Sequence, residues 1–82
     1  MKIESGLDMF YIGETEEEPL AKVNYRIEYE KLYIDHVFVM PQLRGQGIAA
    51  DLVEAVISYA KDKELQVVPI CSYAKSYLND RI

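Results

Sequence analysis

The chain has 82 residues, half of them apolar and 28% charged, and carries a net charge of −5. This balance belongs to a folded domain and not to a disordered segment, and 82 residues supply apolar surface for one small core, so residues 1–82 are read as a single domain. The acidic balance excludes a basic stripe for a nucleic-acid backbone. The lone Cys71 excludes an intramolecular disulfide and any Cys/His zinc cluster.

No apolar run reaches the ~20 residues of a membrane-spanning helix, and residues 1–5 lack the apolar stretch of a signal peptide. The expectation is a cytoplasmic protein with no nucleic-acid or membrane partner. A core this small leaves a thin margin of stability, which either a monomer or a homodimer can accommodate.

Taken in chain order, residues 8–12 read as a short strand, with a further one at 2–4. Glu14, Glu16, Glu17 and Glu18 follow in a run expected to be a solvated loop. Over 20–29, Ala21, Val23, Tyr25, Ile27 and Tyr29 alternate with Lys22, Asn24, Arg26 and Glu28, the period of a half-buried antiparallel strand. Over 31–39, Leu32, Ile34 and Phe38 are assigned to one face and Tyr33, Val37 and Val39 to the other, a strand covered on both sides. Asp35 and His36 interrupt it, and polar groups placed there need partners.

From residue 46 to about 63, Ile48, Leu52, Val53, Val56, Ile57 and Ala60 draw an apolar stripe along a helix. Asp51 and Glu54 lie toward its start and Lys61 and Lys63 at its end, in keeping with the helix dipole. Residues 65–70 form a short apolar strand whose Pro69 belongs at an edge, a bulge or a point where strands part, and 72–78 read as a terminal helix. The helix between two strands makes a right-handed parallel crossover. The fold class is therefore α+β, with a mainly antiparallel sheet and one parallel pair.

Between the central strand and the long helix stands Gln42-Leu43-Arg44-Gly45-Gln46-Gly47-Ile48-Ala49. Two glycines let the chain turn tightly and approach a ligand, while the free N–H groups of the first helical turn favour an anion. Arg44 adds a mobile positive charge suited to phosphate. The segment lacks both the Lys-[Ser/Thr] of a P-loop and the third glycine of a dinucleotide turn.

The run Gln42 to Gly47 resembles the [Gln/Arg]-x-x-Gly-x-[Gly/Ala] motif of the GNAT acetyltransferase superfamily. The likeness extends to a group of very short GNAT-like proteins through Asp35-His36-Val37-Phe38-Val39, then Pro41, then Val68-Pro69-Ile70-Cys71-Ser72-Tyr73. It implies a GNAT-like fold, acetyl-CoA or coenzyme A as cofactor and a small-molecule or protein amine as acceptor. It further implies pantetheine pairing at Val37, Phe38 and Val39, and pyrophosphate over Gln42, Leu43, Arg44, Gly45, Gln46, Gly47, Ile48 and Ala49. The N-terminal helices and C-terminal hairpin that hold acceptors in larger members are missing, so the resemblance implies no particular acceptor. A non-catalytic module that binds or senses acyl-CoA is the alternative function.

Four side chains carry the candidate chemistry. Cys71, at a helix start, is placed by the resemblance toward the CoA sulfur, to accept the acetyl group or to line the thioester pocket. His36 is a candidate general base; strict alternation puts Asp35 on the opposite face, unable to orient it. Tyr73 and Tyr77, one helical turn apart, are candidates for the acid that protonates departing thiolate, a role tyrosine commonly fills in the superfamily. For Cys71 and the two tyrosines a packing role is the competing assignment, and for His36 that of a hydrogen-bonded structural residue.

Overall fold

The computed structural model describes residues 2–80, with the side chain of Asp80 left out. Among these residues the elements run β1 (Glu4–Gly6), β2 (Met9–Ile12), β3 (Ala21–Glu28), β4 (Lys31–Val39), a 3-10 turn (Pro41–Leu43), α1 (Ile48–Asp62), β5 (Gln66–Pro69) and α2 (Ser72–Asp80). The strands form one sheet in chain order, antiparallel from β1 to β4 and parallel between β4 and β5. The first strand lies at Glu4–Gly6 and not at 2–4.

Alternation in β3 buries Ala21, Val23 and Tyr25 toward the helices. They meet Leu32 and Ile34 of β4 and Ile48, Leu52, Val53, Val56 and Ala60 of α1, and Ala74 brings α2 into the same core. At its edge, the Phe10, Tyr25 and Tyr59 rings stand 5.7 Å apart pairwise. Burial holds the Tyr25 phenol above its usual titration range, and neighbouring Tyr59 adds to the effect.

The two faces of β4 differ from the alternating assignment. Asn24 pairs with His36 and Tyr25 with Ile34, leaving Asp35 as an extra residue, a β-bulge. Beyond it the pleat is shifted by one. Val37 and Val39 therefore join Leu32 and Ile34 in packing on the core, opposite Val23 and Ala21, while Phe38 lies opposite Lys22 on the other face. The bulge also overturns the separation of Asp35 from His36. His36 shares a face with Asn24, and Asp35 reaches that same face to accept from Arg26 Nε at 3.2 Å.

Arg26 in turn pairs with Glu28 at 2.5 Å and lies 4.3 Å from the Tyr33 ring centroid. The strand is therefore not covered on both sides as its sequence implied: only the Leu32 and Ile34 face is buried, His36 is exposed, and Asp35, half-exposed on the open face, is met by a cross-strand cation. The acidic loop also departs in part from expectation. Glu14, Glu17 and Glu18 are exposed, but the Glu16 carboxylate accepts the Leu7 N–H at 3.0 Å and pins the loop to the β1–β2 turn.

Candidate active site

The site begins where β4 and β5 part. Their pairing ends at Ile34 opposite Pro69, and proline, with no N–H, cannot extend a ladder. The Ile70 and Cys71 N–H groups both turn back to the Ile34 carbonyl, at 3.0 and 3.1 Å. Past this point the chain enters α2 at Ser72, whereas β4 runs on to Val39 with no partner strand on that side among the described residues.

A cleft of about 500 Å3 opens along the freed edge. One wall is β4 itself, with His36, Val37, Phe38 and Val39; the floor is the turn into α1, with Leu43, Arg44, Gly45, Gly47, Ile48 and Ala49; Tyr73 of α2 stands on the remaining side. Strand edge, helix start and second helix thus converge on one space.

The turn has the backbone that its glycines predict. Gly45 and Gly47 adopt φ of +86° and +79°, and Gly47 is the residue that caps α1. A side chain at either position would meet nothing within 4 Å, and both glycines line the cleft. Among the described residues no side chain caps the first turn of α1, so its N–H groups remain available to an anion. These features fit a pyrophosphate, and the strand edge fits an extended amide chain.

The four catalytic candidates separate. His36 is exposed and lines the cleft. Tyr73 also lines it; burial holds its phenol above the usual range, with the Asp51 carboxylate and Cys71 contributing in that order. Cys71 is half-buried, packs against the core and is absent from the cleft lining. Tyr77 packs against the core as well, and its hydroxyl donates to Glu54 of α1. Of the residues assigned to the cofactor, Gln42 and Gln46 are exposed and lie outside the lining.

Sequence reasoning missed Glu54 as the partner of Tyr77 and Arg26 as the partner of Asp35. The first was hidden because the two residues belong to different helices. The second had a signal: Arg26 is a cation on the polar face of the strand that pairs with β4.

The family model described as GCN5-related N-acetyl-transferase matches residues 9–81. The chain belongs to this GCN5-related N-acetyltransferase family. Members use acetyl-CoA as co-substrate, which gives chemical meaning to a glycine turn beside a free strand edge. Among solved structures, a GCN5-like candidate N-acetyltransferase from Staphylococcus aureus, determined in solution by NMR, is similar over 98% of this chain and 79% of its own, with 36% identity and a TM-score of 0.82. An integron cassette protein from the mobile metagenome of Cole Harbour Salt Marsh shares the fold at 20% identity and a TM-score of 0.62, over 83% of this chain and 48% of its own. No curated protein matches the chain. Among the described residues of this family member, no helix is long and apolar enough to cross a membrane.

Proposed function

We propose that this GCN5-related N-acetyltransferase binds acetyl-CoA in the cleft and transfers the acetyl group to a small-molecule or protein amine. The observation that carries the reading is the joining of three features in one space: the Gly45–Gly47 turn, the unpaired edge of β4, and Tyr73. The N–H groups at the start of α1 hold the pyrophosphate. The β4 edge pairs with the pantetheine amides, and a backbone N–H of that edge polarises the thioester carbonyl, a contribution worth several kcal/mol where charge develops.

Tyr73, which stands on the cleft with its phenol protonated at neutral pH, donates the proton that the departing thiolate needs. His36, exposed on the same cleft, accepts the proton released by the amine. The position of Cys71 outside the lining favours direct attack by the amine over an acyl-cysteine route. The amine takes the acetyl carbon as the C–S bond breaks, so the products are the amide and CoA thiol.

Calorimetric titration with acetyl-CoA and CoA, followed by thiol release in the presence of an amine panel, tests this reading. Binding with amine-dependent thiol release is expected. Absence of binding would remove the central claim. Tight binding with no release across the panel would favour a second reading, an acyl-CoA-binding or sensing module, which the open acceptor side supports. Retention of an acetyl adduct on the intact protein, lost in Cys71→Ala, would restore the acyl-cysteine route.

A further inference from the structure

The free edge of β4 is partly occupied by the protein itself. The Met40 N–H donates to the Leu20 carbonyl at 2.9 Å, on the β3 side of the strand. In a trans peptide the C=O and the following N–H point in opposite directions, so the Val39 carbonyl faces away from β3, onto the edge that β5 leaves beyond Pro69. Arg44 Nε donates to this carbonyl at 3.2 Å. Its side chain reaches from the glycine turn back to the strand, against the very edge an extended ligand would pair with.

Arg44 is exposed, and among the described residues its guanidinium makes no ion pair. A charged donor is therefore satisfied by a neutral carbonyl, an arrangement that a phosphate can readily replace. We infer that Arg44 is a specificity-determining residue, which selects phosphate-bearing thioester carriers over phosphate-free ones by holding the Val39 carbonyl until an anion draws the guanidinium away. The inference rests on the reading of the cleft as an acyl-CoA site and adds to it a means of rejection.

A ligand lying along β4 needs edge carbonyls for its own amide N–H groups. One that carries phosphates offers the guanidinium a bidentate, charge-assisted partner in exchange for Val39. A bare pantetheine chain offers none, so it must either leave Val39 to Arg44 or strip the guanidinium of its partner. Discrimination of this kind works by making the wrong ligand costly, not by adding contacts to the right one.

The test compares the wild type with Arg44→Ala and Arg44→Gln, titrated with CoA by calorimetry and with pantetheine by NMR shift perturbation. Arg44→Ala should weaken CoA about tenfold and tighten pantetheine about threefold, the scale of one exchanged hydrogen bond. Arg44→Gln, still able to donate to Val39 but uncharged, should lose CoA affinity to a similar degree and leave pantetheine as weak as in the wild type. Changes of the same sign for both ligands in Arg44→Ala, or an unchanged pantetheine affinity, would overturn the assignment while leaving the CoA site standing. Failure of the wild type to bind CoA would overturn both. The dispersion of the amide spectra, recorded in the same titrations, confirms that each variant is folded.

Discussion

The Tyr77 hydroxyl donates to the Glu54 carboxylate, tying α2 to α1 one helical turn beyond Tyr73. The Tyr73 and Tyr77 rings stack with centroids 6.2 Å apart, so the residue that faces the cleft rests on the residue that is anchored. Tyr73→Phe should lower acetyl transfer roughly 100-fold, the low end for loss of a general acid, with the Kd for acetyl-CoA nearly unchanged. Tyr77→Phe keeps the stack and loses the anchor. Its effect on kcat should be smaller than that of Tyr73→Phe, and steady-state kinetics on both variants decide the order.

Alkaline pH offers a second test. Burial, then Asp51 and Cys71, raise the Tyr73 phenol above 10.0, and burial with Tyr59 raises Tyr25. An unfolded chain loses these protons first, so the stabilisation is whole below pH 10.0 and falls as pH rises through the folded-state values. Denaturant unfolding followed from pH 8 to pH 11 should show that loss. Asp51→Asn removes one of the causes. Its Tyr73 should titrate at lower pH, as read by ultraviolet difference absorbance.

The glycine turn predicts a separation of stability from binding. Gly47 holds φ of +79° with open space beyond its Cα, so Gly47→Ala meets strain but no clash, at a cost of about 1–2 kcal/mol. CoA affinity should fall further than stability, because Gly47 lines the cleft at the start of α1 and the turn there must keep its backbone N–H groups aimed at the phosphate. Thermal unfolding and calorimetry on the same sample compare the two effects.

Leu52 is fully buried between α1 and the sheet. Leu52→Ala should cost about 2–5 kcal/mol. A chain of this length has about 4–12 kcal/mol in total at typical stability per residue, so the variant should unfold at a much lower urea concentration than the wild type.

Much of this architecture is legible in the residues. The alternation of Ala21, Val23 and Tyr25 marks β3, and the stripe from Ile48 to Ala60 marks α1, because each pattern records burial against a single partner. The glycine turn is legible for a different reason: positive φ restricts the residue type directly. The bulge at Asp35 was harder to see because it is a property of pairing between two strands. A trace of it is present nonetheless. Leu32 and Ile34 are out of phase with Val37 and Val39 by one residue, and a strand with one face on the core can keep both pairs inside only by bulging between them. Which tyrosine faces the cleft and which is anchored depends on how α2 docks, and Glu54, the group that decides it, lies on another helix.

The Ile34 carbonyl, where two amide groups converge, also marks a boundary in how the domain holds together. On one side, β1 to β4 are chain neighbours paired in sequence, a set of hairpins built from short-range contacts. On the other, β5 reaches β4 only after the chain has run through α1, so its pairing requires closure of a long loop. The cleft opens just beyond the point where these two kinds of pairing meet. Its walls come from parts of the chain far apart in sequence, the run from His36 to Ala49 and Tyr73 of α2, so the binding space exists only once the crossover through α1 has brought them together.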